Sequence, residues 1–133
     1  MTALPGYSLR GRRLFVAGHR GMVGQALMRR LADQPRSLLT ATRDELDLTS
    51  QAAVERWMQE ARPQVVIIAA AKVGGILANA SFPVGFLEQN LLIELNLIRT
   101  SFRVGVEKTL AFADFRDNRE FITQGNLAEN PKA

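Results

Sequence analysis

Residues Leu14–Gly24 (LFVAGHRGMVG) constrain this chain more than any other segment. An apolar, β-leaning run ends at Ala17, and glycines follow at positions 18, 21 and 24. A helical pattern then opens at Met22. Gly18 lets the chain turn sharply out of the strand, Gly21 removes a side chain where backbone must approach a ligand, and Gly24 lets helix and strand pack closely. A helix start placed this way offers free N–H groups and partial positive charge to an anion. The segment therefore predicts a dinucleotide pyrophosphate site on a strand–turn–helix unit.

The rest of the pattern alternates strand and helix. Met22 to Asp33 reads as an amphipathic helix, with Val23, Ala26, Leu27 and Leu31 inward and Gln25, Arg29 and Arg30 outward. Pro35 breaks it. Ser37 to Thr42 reads as a second strand and Glu45 to Leu48 as a short third. Thr49 or Ser50 caps a helix that runs to Ala61. Gln64 to Ala71 (QVVIIAAA) is continuously apolar, as a parallel strand covered on both faces should be. A Gly/Ala/Asn-rich loop, 72–83, leads to a long helix, Val84 to Val104. Its apolar residues form more than one stripe, which implies two buried faces. Glu107 to Ala113 reads as a last strand. Alternating strands and helices imply right-handed crossovers, hence an α/β, Rossmann-like, doubly wound parallel sheet, cut off after about the fifth strand.

Composition narrows the function classes. The 133 residues suffice for one domain, and 47% hydrophobic with 23% charged is a globular balance. No apolar run reaches the roughly 18 residues of a membrane span. Residues 1–12 form a basic leader without the apolar centre of a secretory signal, and are expected to be solvated. Zero cysteines and one histidine, His19, leave no disulfide framework and no metal cluster. A cytoplasmic location follows by default. The net charge of +4 has no basic stripe with interleaved aromatics, so nucleic acid is not an expected partner.

The second strand decides between cofactors. NAD sites place an acid at its end to hold the ribose hydroxyls. Here it ends Ala41-Thr42-Arg43. Arg20 in the turn and Arg43 are both in reach of a 2′-phosphate, which favours NADP. The competing reading pairs Arg43 with Asp44 or Glu45 at the surface.

Three segments together, AGHRGMVG (17–24), TRDELDL (42–48) and AAAKVGGILAN (69–79), closely resemble the GDP-L-fucose synthase family. These are NADP-dependent 3,5-epimerase/4-reductases of the extended short-chain dehydrogenase group, acting on GDP-4-keto-6-deoxy-mannose. The resemblance runs from about Leu14 to Leu110. It implies that Gly18, Gly21 and Gly24, with Met22 and Val23 between, wrap the pyrophosphate, and that Arg20 and Arg43 hold the 2′-phosphate. It further implies that Asp47 and Leu48 lie by the adenine and that Ala69, Ala70 and Ala71 line the cleft. For the alanines, small core residues in a buried strand are an equally good reading. The helix 84–104 matches one that packs in the family's dimer interface.

The same resemblance exposes what is missing. The family's ketone-polarising serine and its Tyr-x-x-x-Lys have no counterpart, since no serine follows Ser101 and the single tyrosine is Tyr7 in the leader. The cysteine of the epimerisation pair is absent, and the single histidine sits in the phosphate turn. No residue of this chain is therefore assigned a catalytic role. Residues 114–133 read as an irregular tail outside the family pattern, consistent with a frameshift or truncation. The expected function is an NADP(H)-binding fragment without turnover of its own. The alternatives are a non-catalytic cofactor-binding or subunit-pairing module, or a truncated product with no function.

Overall fold

The computed structural model describes residues 7–34, 37–70 and 83–111. Seven elements follow in order: β1 (Arg13–Ala17), α1 (Met22–Leu31), β2 (Ser37–Leu39), α2 (Gln51–Ala61), β3 (Val65–Ile68), α3 (Pro83–Val104) and β4 (Lys108–Ala111). All strand pairs are parallel, in the order β2-β1-β3-β4. The chain runs from β1 to one neighbour, crosses back over it, and continues on the other side. The direction of travel reverses between β1 and β3, and in open α/β sheets such a switch point opens a crevice at the carboxyl ends of the strands.

The alternation of side chains along the strands sorts the core into two layers. Leu14, Val16, Val65 and Ile67 face α1 and pack against Leu27, Met28 and Leu31. Phe15, Ala17, Val66 and Ile68 face the other way, onto Val54 and Met58 of α2 and Ile93 and Leu97 of α3. Phe15 meets Trp57 at a ring-centroid distance of 4.3 Å. The continuous apolar run of β3 is thus accounted for, because all four of its residues are buried between helical layers.

Helix boundaries follow local chemistry. Ser50 caps α2, its hydroxyl accepting from the Ala53 N–H. Arg62 ends it in the left-handed region (φ 50°), donating its N–H to the Met58 carbonyl before Pro63. At the other end of β1, Gln64 brackets Arg13: its side-chain carbonyl accepts from the Arg13 N–H, and its own N–H donates to the Arg13 carbonyl.

Three expectations are corrected. Glu45 to Leu48 is a turn and not a strand: the Glu45 and Leu46 N–H groups both donate to the Thr42 carbonyl, and the Thr42 N–H donates to the Glu45 carboxylate. The apolar signal there came from Leu46, a single plug into the core. The inward face of α1 is rotated, with Gly24 buried and Leu27, Met28 and Leu31 on the sheet, whereas Val23 and Ala26 are exposed. The close approach at Gly24 sets that rotation. The leader is not wholly solvated. Tyr7 and Leu9 pack on the α1 side of the core. The Tyr7 hydroxyl donates to Glu107 (3.0 Å), and Arg12 pairs with the same carboxylate (2.6 Å) while lying over the Tyr7 ring. Burial and the Glu107 bond raise the Tyr7 pKa above its ordinary value.

The long helix does present two faces, and among the described residues only one is covered. Ile93, Asn96, Leu97, Thr100 and Ser101 are buried. Leu91, Leu95 and Ile98 are about half exposed (47%, 47% and 46%) and Phe102 is 87% exposed. Their spacing of four, three and four residues makes one continuous stripe along the helix.

Candidate functional site

The candidate site lies where β1 and β3 end side by side, joined by the Ala69 N–H donating to the Ala17 carbonyl (2.8 Å). Each glycine of the turn has its own reason. Gly18 adopts φ +87°, and a Cβ there would stand 2.6 Å from the Ala70 backbone. A Cβ on Gly24 would stand 1.9 Å from the Gly18 carbonyl oxygen. These two let turn, β3 and α1 close on one another. Gly21 differs: a Cβ there meets nothing nearer than 3.6 Å, so packing does not demand its glycine. Its bare backbone leaves the mouth of the turn open.

Gly21 is the residue before α1 and supplies no side-chain cap, and the helix's first turn has no acid. The first N–H groups of any helix lack intrahelical partners. This helix start, with its partial positive charge, is a geometry that accepts an anion. Met22 is 88% exposed and Val23 is also exposed beside those groups. The Gln25 amide donates to the Arg20 carbonyl (2.8 Å) and fixes the backbone of the turn.

The 42–50 segment forms the neighbouring wall. Thr42 and Glu45 cap each other reciprocally. The backbone and then the hydroxyl of Thr42 hold the Glu45 carboxyl below its usual range, with nearby Arg20 and His19 adding to the effect. Arg20 is thus near enough to the segment bearing Arg43 for its charge to be felt by Glu45. Both arginines are exposed, and neither makes an ion pair among the described residues, so Arg43 is not paired with Asp44 or Glu45 there. Asp47 accepts from the Thr49 hydroxyl and N–H, and these bonds depress its pKa. Its neighbour Leu48 is half-buried against the core. Ala69 and Ala70 are half-buried at the end of β3. Ala71 and the loop from Lys72 lie outside the described residues. Sequence reasoning passed over Asn96, a buried amide on α3 that donates to the Leu48 carbonyl (3.0 Å). The available signal was an amide at position 96, between Ile93 and Leu97 on the helix's apolar face.

Residues 14–113 match the model of the NAD dependent epimerase/dehydratase family. This chain belongs to that family. Among its relatives, a GDP-L-fucose synthase from Sinorhizobium fredii is 52% identical over 107 residues, which are 80% of this chain and 34% of that protein. The solved structure of DdhaC superposes with a TM-score of 0.75 at 41% identity, covering 78% of this chain and 30% of that one. A GDP-mannoheptose C4 reductase from Campylobacter jejuni, solved with NADP bound, gives a TM-score of 0.72 at 35% identity, over 77% of this chain and 33% of its own. The chain thus spans about a third of the length of the relatives and solved structures it matches.

Proposed function

We propose that residues 14–111 are the NADP(H)-holding part of a GDP-L-fucose synthase-like enzyme. The parent reaction would be the NADPH-dependent epimerisation and reduction of GDP-4-keto-6-deoxy-D-mannose to GDP-L-fucose. The observation that carries this reading is the closure of Gly18 and Gly24 on backbone, which sets the uncapped start of α1 against the ends of β1 and β3. The pyrophosphate would lie on the Met22 and Val23 N–H groups over Gly21, the 2′-phosphate against Arg20 and Arg43, and the adenine by Asp47 and Leu48. Ala69, Ala70 and Ala71 would line the cleft beyond. Bound NADPH would supply a hydride. The residues named here would bind and orient that cofactor. Tyr7 is hydrogen-bonded to Glu107 beside the start of β4, at the amino ends of the strands and opposite the crevice.

Titration of the folded chain with NADPH and NADH tests the reading. NADPH binds more tightly, and Arg43→Asp abolishes the preference. Each charge-assisted bond to phosphate contributes about 1.5–3 kcal/mol, so the NADPH:NADH affinity ratio falls by roughly 10- to 100-fold. An unchanged ratio rejects the assignment of Arg43. Turnover of the keto-sugar nucleotide by this chain alone rejects the claim that it is only a cofactor-binding part.

A second reading, subunit pairing, is favoured by the stripe Leu91-Leu95-Ile98-Phe102 on α3. A second copy of this helix is the occupant we propose. In sedimentation velocity the chain runs as a dimer, and Ile98→Glu shifts it to monomer with NADPH affinity unchanged. A wild-type monomer at tens of micromolar removes this reading.

A further inference from the structure

We propose that Asn96 is a positioning residue for the adenine end of the cofactor, acting through the Leu48 carbonyl. The inference rests on the NADP(H) reading above. Asn96 is 4% exposed and lies on the face of α3 that buries Ile93 and Leu97. An amide in such a place is costly unless it is hydrogen-bonded, and an aliphatic side chain would fill the position more cheaply. Its Nδ2 donates to the Leu48 carbonyl at 3.0 Å, 48 residues away in sequence.

That carbonyl closes the segment that would receive adenine and 2′-phosphate. Among the described residues the segment's other hydrogen bonds are local: Thr42 with Glu45 and Leu46, Asp47 with Thr49, and the Ser50 N–H with the Asp47 carbonyl. Local bonds give the turns their shape but do not fix where the segment sits against the sheet. The burial of Leu46 and the packing of Leu48 and Ala41 on the core set its depth. The Asn96 amide sets its position along the crevice, since a hydrogen bond is directional where an apolar contact is not. Residues 43–48 are thereby tied to α3 by a hydrogen bond from a side chain buried behind them.

The test compares wild type, Asn96→Leu and the milder Asn96→Ser, with Thr100→Ala as a control equally buried on the same helix. The probe is adenosine 2′,5′-bisphosphate, which carries only the adenine end, beside NADPH and inorganic pyrophosphate. Asn96→Leu weakens the bisphosphate and NADPH about tenfold each and leaves pyrophosphate unchanged, with Asn96→Ser in between. Amide hydrogen exchange at residues 46–49 of the unliganded chain rises in both Asn96 variants. Thr100→Ala lowers thermal stability and moves neither the affinities nor that exchange. Bisphosphate binding and exchange at wild-type levels in a folded Asn96→Ser or Asn96→Leu chain overturn the proposal. So does an equal loss in Thr100→Ala, which would make the effect one of general stability. If wild type binds neither NADPH nor the bisphosphate, the NADP(H) reading itself fails and the positioning role with it.

Discussion

Gly24→Ala abolishes NADPH binding and lowers the melting temperature by at least about 12 °C, measured by fluorescence titration and scanning calorimetry. The new methyl would stand 1.9 Å from the Gly18 carbonyl oxygen and 2.8 Å from the His19 Cα. Both are backbone atoms of a turn already pressed against β3, so neither has a rotamer with which to yield. Relief requires α1 to back away from β1. Overpacking of this kind costs about 3 kcal/mol at the upper end of its usual range. In a domain of about 100 residues each kcal/mol moves the midpoint by roughly 4–8 °C. The same retreat carries the Met22 and Val23 N–H groups off the crevice, so binding is lost even in the fraction that stays folded. Gly21→Ala is the internal comparison. Its methyl meets nothing nearer than 3.6 Å. It leaves the melting temperature in place while weakening cofactor binding. Equal thermal losses at the two positions would refute the separation of packing from access.

Phe15→Ala strongly destabilises the domain at 25 °C. Phe15 is 1% exposed and sits between the sheet and α2, tilted 41° against Trp57. Its removal costs about 3–5 kcal/mol through lost transfer energy and a residual cavity. The whole domain has only about 5–15 kcal/mol to lose. Trp57 is the single tryptophan of the chain, so its emission reports the packed ring directly. The urea midpoint falls by roughly a third or more with an unchanged slope, as for a loss of stability alone. A shift of less than about 1 kcal/mol would show that the β1–α2 layer is not the main core.

Much of the architecture could be read from the sequence because the deciding signals are local. The glycine spacing, the Ser50 cap, Pro63 after α2 and the unbroken apolar run of β3 each specify their element within a few residues. What escaped depends on distant contacts. Leu46 read as part of a strand because an apolar residue between polar ones looks alike in a strand and in a turn that plugs a core. The rotation of α1 depends on where Gly24 meets the Gly18 carbonyl, which no helical periodicity encodes. The leader's contact with Glu107 joins residues 100 positions apart. Asn96 escaped for the same reason: its partner, Leu48, adjoins it only after α3 docks. The residues that would touch a cofactor were legible as a motif, and the one proposed to orient them was not.

The strand order also has a consequence for synthesis. β1 is flanked by β2 on one side and β3 on the other, and Leu14 pairs with Val65. At about 5–20 residues per second, the strand that becomes central waits roughly 3–10 s after its own translation before that partner exists. During most of that interval Leu14, Phe15 and Val16 have only α1 and β2 to shield them, and α2, which covers Phe15, is completed just before β3. Tyr7 and Arg12 wait longer still, for Glu107. The nascent chain is therefore most prone to aggregate before β3 leaves the ribosome, and a holdase chaperone that captures stalled chains would retain lengths that end before residue 65 and release those that extend past residue 111.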